Sequence, residues 1–166
     1  MITFIMTKYD NLKLEQQLCF ALYAATHSLT RAYRVSLEPL GITYTQYLVM
    51  LVLWENDVIS VGKIAQRLEL DSATLTPMLK RLEVAGFVSR VRNLKDERIV
   101  EIKLTTAGNQ LQDEIAQVQL GVACKTGLSE SDFNQLKASL HRLVETMSNC
   151  EVPSKNKLIN AKKPAS

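Results

Sequence analysis

The spacing of apolar residues predicts that most of this chain is helical. Between residues 12 and 38, apolar residues recur every three or four positions and form one stripe along a helix: Leu14, Leu18, Ala21, Leu22, Ala25, Leu29 and Ala32. Pro39 and Gly41 follow this stripe and are expected to end the helix. The first element is therefore predicted to be a long amphipathic helix.

Shorter stretches with the same periodicity predict five more helices. Thr43 is placed to cap the second helix. Either Asp71 or Ser72 can cap the fourth helix, and Gly86 is placed to end it. Residues 56–60 are expected to form a connector. The five helices are predicted around residues 43–54, 61–68, 72–85, 105–125 and 130–149.

Between the fourth and fifth helices the apolar pattern changes from helical to alternating. Two short β-rich runs, 87–91 and 99–104, flank the polar segment 93–98, which predicts a β-hairpin. Helices followed by a hairpin in this order are typical of a winged helix-turn-helix. The predicted fold is mainly α, in the order α-α-α-α-β-β-α-α, with a small β-hairpin wing.

This order also suggests a division of the chain. Residues 43–104 would form a DNA-binding domain, while residues 12–42 and 105–149 carry more apolar surface than a domain of that size can cover. We therefore expect those helices to form the interface of a homodimer. The tail, residues 150–166, has no periodicity and is expected to be disordered.

Length and composition exclude several classes of protein. A chain of 166 residues holds one domain, or one domain with a dimerisation extension. The longest wholly apolar run, residues 47–54, is far shorter than the roughly 20 residues of a membrane helix. The first residues lack the basic start of a secretory signal, and the three cysteines are too widely spaced for a disulfide scaffold or zinc site. We expect a reduced, cytoplasmic protein with no membrane contact, metal or cofactor.

Positive charge is concentrated in one segment and in the tail. The formal net charge is +3, yet residues 60–104 alone hold nine Lys or Arg against six Asp or Glu. The tail adds four lysines against one glutamate. This asymmetry points to a polyanion such as double-stranded DNA, although an ordinary solvated surface would give a similar excess.

The fourth helix has the composition of a recognition helix. If its leucines face the core, the opposite side presents short hydroxyls followed by cations, which suit phosphate oxygens and base edges. Pro77 removes one helical hydrogen bond and is expected to kink the helix. The candidate DNA-binding residues of this helix are Ser72, Thr74, Thr76, Lys80 and Arg81.

The predicted wing carries more cations. Arg90 and Arg92 share one face of its first strand, and Asp96 precedes Arg98 near the tip. An exposed arginine can enter a minor groove, and a neighbouring carboxylate can hold its guanidinium in place. A solvated hairpin with a surface ion pair is the alternative, and the preceding helices favour DNA.

Cys19 is the candidate for chemistry. It lies beside the apolar stripe of the first helix, at the edge of the expected core, and Tyr23 follows one turn later. With Tyr33, Tyr44 and Tyr47, four of the five tyrosines fall within 25 residues. Phenol hydroxyls can stabilise a thiolate and position an oxidant. On the residues alone, a small buried hydrophobe among amphipathic tyrosines is the favoured alternative.

Four stretches of the chain resemble one family closely. LKLEQQLCFALYA, LGITYTQYLVMLVLWE, LDSATLTPMLKRLE and LKDERIVEIKLTTAG are similar to the organic hydroperoxide sensors, the OhrR-type repressors of the MarR family. The resemblance spans about residues 12–148 and includes both the cysteine context and the DNA-binding motif. It implies a dimeric winged-helix repressor, not an enzyme, that releases its operator when organic hydroperoxide oxidises a cysteine.

The resemblance also implies individual roles. Cys19 matches the sensing cysteine, Tyr33 and Tyr44 match the tyrosines that hydrogen-bond it, and Asp96 and Arg98 match a wing pair. Tyr23 and Tyr47 match nearby aromatic positions. Some relatives complete the reaction with a small thiol and others with a second cysteine in the partner's fifth helix. Cys124 makes this chain resemble the two-cysteine kind, with a buried helix residue as the alternative, whereas Cys150 has no assigned role.

Three other functions remain open at this level. A regulator of the same fold could respond to a reversible small phenolic ligand instead of an oxidant. A thiol enzyme that reduces peroxide would need a partner for Cys19, and the sequence offers neither a Cys-x-x-Cys pair nor a nearby catalytic histidine. His27 and His141 are isolated, with no other metal ligands at suitable spacing around them, and we expect them to be surface or packing residues. A winged domain can also serve protein contacts alone.

Overall fold

Six α-helices and three short β-strands make up the part of the chain that a computed structural model describes, which is residues 9–93, 96 and 98–149. The helices are α1 (Leu18–Leu37), α2 (Tyr44–Glu55), α3 (Val61–Arg67), α4 (Ser72–Val84), α5 (Thr106–Lys125) and α6 (Glu130–Asn149). The strands are β1 (Ile59–Ser60), β2 (Val88–Arg92) and β3 (Val100–Leu104). The predicted mainly α winged helix-turn-helix is confirmed.

Side-chain caps set where α2, α3 and α4 begin. Thr43 and Gln46 form a reciprocal capping box at α2, in which the Thr43 N–H donates to the Gln46 side chain over 2.8 Å. Ser60 caps α3, and Asp71 caps α4 by accepting from the Thr74 N–H at 2.6 Å. Of the two caps considered for α4, Asp71 is the one in use.

The sheet has one more strand than the hairpin predicts. β2 pairs with β3 in antiparallel register, with Arg90 opposite Ile102, and the two-residue strand β1 pairs with the other edge of β3. The expected connector 56–60 is therefore partly wrong, because Ile59 and Ser60 add to the sheet. A strand of two residues is too short to produce a detectable alternation.

The core surrounds α2. Val49, Met50 and Leu53 are fully buried there, and leucines of α4 pack with them in the same cluster. Thr105 joins the hairpin to α5: its hydroxyl donates to the Gly86 carbonyl at 2.6 Å, and its N–H donates to the Phe87 carbonyl at 3.0 Å. This framework fixes β2 and the start of α5 relative to each other.

The first helix departs from its prediction in two ways. Two 3₁₀ turns, Asp10–Leu12 and Leu14–Gln16, precede it, so the α-helix begins at Leu18 rather than near residue 12. The predicted apolar stripe is also largely uncovered within one chain, because Leu14, Leu18 and Leu29 are 57%, 61% and 39% exposed. The buried residues of α1 are instead Tyr33 and Leu37, near its end.

The chain divides into two compact units, residues 1–125 and 126–166. In the second unit, Ser129 precedes α6 and its hydroxyl accepts from the Asp132 N–H. None of the described helices combines the length and apolar character of a bilayer span. The predicted disorder of the tail and any role of Cys150 lie outside the described residues.

Candidate functional site

Cys19 lies in the first turn of α1 and is exposed to solvent. It is the second residue of the helix, directly after Leu18. Within the described part of one chain, no hydrogen bond reaches its sulfur. The expectation that Cys19 lies at the edge of the core is wrong, because Cys19 and the stripe residues Leu14, Leu18 and Leu29 are exposed in the part of the chain that the structure describes. The thiol is therefore open to small molecules from solvent.

Three of the predicted tyrosines form one aromatic cluster. The ring centroid of Tyr33 lies 5.3 Å from that of Tyr44 and 5.1 Å from that of Tyr47. The centroids of Tyr44 and Tyr47 are 6.0 Å apart. Tyr33 comes from the end of α1, and the other two come from the first turn of α2. The capping box at Thr43 fixes where α2 begins, and it thereby fixes both of those rings.

Burial opposes the ionisation of two of these phenols, Tyr44 and Tyr47. It raises the pKa of Tyr44 above its ordinary value, and the neighbouring Tyr33 adds to the rise. Burial also raises the pKa of Tyr47 strongly, again with Tyr33 contributing. A phenol that keeps its proton at neutral pH remains a hydrogen-bond donor. The cluster is thus suited to donating to an anion such as a thiolate.

The thiol and the tyrosine cluster are far apart within one chain. Cys19 and Tyr33 are 14 positions apart on the same helix, and a rise of about 1.5 Å per residue separates them by about 21 Å. Tyr23, the tyrosine nearest in sequence, is 60% exposed, and its ring packs on His27 with centroids 4.4 Å apart. Nearness in sequence therefore does not bring the phenols to the sulfur.

Cys124 is also exposed. It lies in the last turn of α5, one residue before the helix ends at Lys125. The alternative of a buried helix residue is therefore wrong for a single chain. His141 is exposed on α6, and no cluster of three potential metal ligands occurs among the residues that the structure describes.

The outer face of α4 presents the predicted polar residues to solvent. Leu75, Leu79 and Leu82 are buried, and all five candidate DNA-binding residues are exposed: Ser72, Thr74, Thr76, Lys80 and Arg81. Two of the hydroxyls also bind within the helix, since Thr74 donates to the Asp71 carboxylate and Thr76 to the Ser72 carbonyl. The helix continues through Pro77 to Val84.

The wing holds its arginines in two different ways. Arg90 forms an ion pair with Glu83 at the end of α4, with 3.0 Å between Nε and Oε2. Arg98 is 95% exposed, and its Nε lies 3.8 Å from Oδ1 of Asp96. Arg92 is exposed on β2. Arg98 is consequently freer to reach a ligand than Arg90, whose guanidinium is already engaged.

A polar cleft beside the tyrosine cluster was missed by sequence reasoning. It has a volume of about 1120 Å³, and four of its residues, His27, Thr30, Arg31 and Arg34, form one face of α1. The turn after α1 and the start of α2, including Tyr44, close the other side. The spacing of three and four along α1 is visible in the sequence, but the opposing wall depends on the turn at Gly41.

A family profile and a curated relative match most of these elements. The profile described as transcriptional regulator SarA/Rot matches residues 31–115. The organic hydroperoxide resistance transcriptional regulator of Bacillus subtilis is 44% identical over 140 residues, which cover 84% of this chain and 95% of the relative.

Solved structures of AbfR from Staphylococcus epidermidis have the same fold. Reduced AbfR bound to DNA is 35% identical, has a TM-score of 0.73, and is matched over 86% of this chain and 97% of that one. Disulfide-formed AbfR is 36% identical, has a TM-score of 0.61, and is matched over 85% and 94%.

Proposed function

The chain belongs to the MarR/SarA family of winged-helix transcriptional regulators and is of the organic hydroperoxide-sensing OhrR type, and we propose that it is a repressor released from DNA by oxidation of Cys19. The observation that carries this proposal is the solvent-exposed thiol of Cys19 in the first turn of α1. The 44% identity to a regulator of organic hydroperoxide resistance supports the choice of oxidant.

DNA is bound by α4 and the wing in this proposal. The exposed hydroxyls and cations of α4 enter the major groove, and Arg98 reaches the neighbouring minor groove. The DNA-bound structure of reduced AbfR supports DNA as the ligand. Because Arg98 of the wing is 95% exposed, its contact with DNA is expected to depend strongly on salt.

A homodimer explains the apolar surface that one chain leaves uncovered. Leu14, Leu18 and Phe20 are exposed around Cys19. On α6, apolar residues repeat at spacings of three, four, three and four, and most are exposed: Phe133, Leu136, Leu140, Leu143 and Met147. Such a seam is typical of a helix that packs against a second copy. Two copies present two recognition helices to two half-sites.

The dimer also accounts for the distance between the thiol and the phenols. About 21 Å along α1 keeps Cys19 from the tyrosines of its own chain. We infer that Tyr33, Tyr44 and Tyr47 of one protomer approach Cys19 of the other. As protonated phenols they donate hydrogen bonds to the thiolate and to the alkoxide that leaves the hydroperoxide, and burial raises the pKa of Tyr44 and Tyr47, which opposes their ionisation. Tyr23, paired with His27, would contribute only to the surroundings.

The chemistry proceeds in two balanced steps. The Cys19 thiolate attacks the outer oxygen of the hydroperoxide, so that an S–O bond forms, the O–O bond breaks, and the alkoxide takes a proton and leaves as alcohol. The sulfur loses two electrons, and the peroxide gains them. The thiolate of Cys124 from the other protomer then attacks the sulfenic sulfur, so that an S–S bond forms, the S–O bond breaks, and the departing hydroxide takes a proton to become water. The disulfide form of AbfR supports this second step.

If Cys19 and the partner's Cys124 lie farther apart than a disulfide allows in the reduced dimer, forming the bond moves the helices that carry them. The two Cα atoms must come within about 4.4–6.8 Å of each other. Because α1 and α5 carry these cysteines and also pack with the winged region, their shift would change the separation of the recognition helices. Half-sites lie about 34–36 Å apart, so a changed separation releases the DNA.

The test is an operator-binding assay on cysteine variants. A duplex selected from random sequence against the reduced protein serves as probe, and tert-butyl hydroperoxide as oxidant. Wild type is expected to lose binding on oxidation and regain it with dithiothreitol, whereas Cys19→Ser stays bound. Cys124→Ser is expected to be oxidised without forming an interchain disulfide, and Cys150→Ser is the matched control.

Two outcomes would contradict the proposal. If Cys19→Ser is released by oxidant as readily as wild type, the sensing residue is wrong. If the reduced protein instead dissociates when a phenolic acid is added, without any change in its thiols, the regulator responds to a reversible ligand.

A further inference from the structure

We propose that the recognition helix α4 reads thymine by contact with its 5-methyl group rather than by hydrogen bonds. The contact is made by a small apolar surface, the methyl patch, which consists of Ala73, Thr76 and Pro77 in the first half of the helix. The inference rests on the proposed function, because it takes α4 as the helix that enters the major groove. It gives that helix a chemical preference among the four bases.

The residues of the methyl patch are neighbours on the outer face of α4. Ala73 precedes Thr76 by three positions and Pro77 by four, which is the spacing of side chains that meet on one side of a helix. All three are exposed, whereas the leucines of α4 are buried. At 3.6 residues per turn, Ala73 and Pro77 lie within about 30° of the direction opposite those leucines. These carbon groups therefore face most directly away from the core.

The hydroxyl of Thr76 is engaged within the helix. It donates to the Ser72 carbonyl at 2.6 Å, so its single proton is already used. The side chain of Thr76 keeps its methyl group as a contact for a ligand. Ala73 adds a second methyl group and Pro77 a ring of carbon atoms, and neither side chain has a hydrogen-bonding atom. The methyl patch therefore has no side-chain proton for the acceptors that guanine and adenine present in the major groove.

The cations of this face lie farther along the helix. Lys80 follows Pro77 by three positions and Arg81 follows it by four, and both are exposed. Because the N-terminal residues of a recognition helix contact base edges, the methyl patch comes closest to the bases, and the two cations reach phosphates. Among the four bases, thymine alone presents a methyl group in the major groove, and alanine and threonine methyl groups are suited to contact it. Thymine is therefore the base that matches this surface.

The experiment removes single methyl groups from the operator. Each thymine of the duplex selected against the reduced protein is replaced in turn by deoxyuridine, which still pairs with adenine and lacks only the 5-methyl group. Affinity is measured by fluorescence anisotropy with dithiothreitol present, so that no cysteine is oxidised. At one or more thymines of each half-site, we expect the dissociation constant to rise about fourfold, as the loss of one buried methyl group predicts. Replacement in both half-sites should raise it about fifteenfold, because the effects of distant sites add.

Two substitutions of Thr76 separate its methyl group from its hydroxyl. Thr76→Ser keeps the hydroxyl and removes the methyl group, whereas Thr76→Val keeps a methyl group and removes the hydroxyl. At one of the sensitive thymines, Thr76→Ser should bind the thymine and deoxyuridine duplexes equally, and Thr76→Val should keep the preference for thymine. Thr146→Ser is the matched control, since Thr146 is an exposed threonine of α6 whose hydroxyl donates to the Arg142 carbonyl at 2.8 Å. Circular dichroism checks that each variant is folded.

Three other outcomes would overturn the methyl patch while DNA binding stands. In the first, no deoxyuridine duplex binds wild type more weakly than the thymine duplex. In the second, Thr76→Val loses the preference and Thr76→Ser keeps it, so that the hydroxyl of Thr76 reads the base. In the third, both variants keep the preference at every sensitive thymine, so that other residues contact the methyl groups. If the reduced wild type instead binds no duplex more tightly than random DNA, the proposed function itself fails.

Discussion

At the scale of single residues, Gly108 determines how closely α5 can approach the hairpin. A Cβ added there would lie 2.0 Å from the Phe87 carbonyl oxygen, far inside van der Waals contact. That carbonyl cannot move freely, because it accepts the Thr105 N–H at 3.0 Å. Gly108 also places its own carbonyl to accept from the Trp54 indole N–H at 2.9 Å. One glycine thus lies where α2, α5 and the residue before β2 meet.

Gly108→Ala is therefore expected to destabilise the protein. Relief of the clash requires α5 to shift away from β2, which costs about 2–3 kcal/mol or more, as overpacking of a core does. Urea unfolding followed by circular dichroism measures the free energy of unfolding. Gly62→Ala is the control, since nothing lies within 4 Å of the added carbon and the change should be neutral or slightly stabilising. Equal stability of the two variants would contradict the prediction.

Sequence alone predicts some residues of the site better than others. The exposed positions on α4 follow from the leucine spacing, because a helix with one buried stripe must present the opposite side. Cys19 was misplaced because the same rule assumes that an apolar stripe is buried, whereas Leu14, Leu18 and Leu29 are exposed among the described residues. The role of Gly108 was invisible, since a close backbone contact between distant segments has no periodic pattern.

At the scale of elements, the start of α4 depends on one carboxylate. Asp71 accepts from the Thr74 N–H and the Thr74 hydroxyl, and these hydrogen bonds hold its pKa below the ordinary value. A carboxyl whose pKa is lowered by folding stabilises the folded state fully above its unfolded value. That contribution is lost as the pH falls through the lower, folded value.

Asp71→Ala should therefore lower the melting temperature at pH 7, and the difference from wild type should shrink as the pH falls below about 4. Asp71→Asn keeps an acceptor for the cap and should lie closer to wild type at pH 7. Thermal unfolding across this pH range measures both effects. A difference between wild type and Asp71→Ala that stays constant over the whole range would exclude a contribution from the charged cap.

The wing gives a second prediction at this scale. Arg98 is almost fully exposed and only loosely paired with Asp96, whereas Arg90 is held by Glu83 against α4. We expect Arg98→Gln to weaken operator binding and to reduce the slope of log K against log salt concentration by about 1. Arg90→Gln should change the slope less. Binding measured by fluorescence anisotropy at several salt concentrations distinguishes them, and identical slopes for wild type and Arg98→Gln would remove the wing from the DNA contact.

The elements themselves were mostly predictable. Five of the six described helices both begin and end within a few residues of their predicted bounds, because caps such as Thr43 and breaks such as Gly41 are local signals. The start of α1 was not predictable, because the apolar spacing continues through two 3₁₀ turns whose period is close to that of an α-helix. Strand β1 was missed because it owes its existence to pairing with β3 rather than to its own two residues.

At the scale of the whole molecule, the decisive question is which chain supplies the phenols to which thiol. Helix α1 holds Cys19 near one end and Tyr33 near the other, so a single copy cannot join them without breaking the helix. Two copies whose α1 helices run in opposite directions can join them twice, once at each end. The sensing site would then exist only in the dimer. Dissociation of the dimer would remove this site, and the regulator would no longer respond to hydroperoxide.

Mixed dimers test this arrangement directly. Cys19→Ser protomers lack the thiol, and Tyr44→Phe protomers have a thiol but lack one phenol donor, so each homodimer should react slowly or not at all with hydroperoxide. If the site is shared between chains, a mixed dimer combines the intact thiol of one copy with the intact tyrosines of the other. After unfolding and refolding together in equal amounts, about half of the Cys19 thiols lie in mixed dimers by random pairing. That half should then react at the wild-type rate, as a separate fast phase of thiol loss. Without a fast phase in a mixture shown to contain mixed dimers, each chain would serve its own thiol, and α1 would have to bend during oxidation.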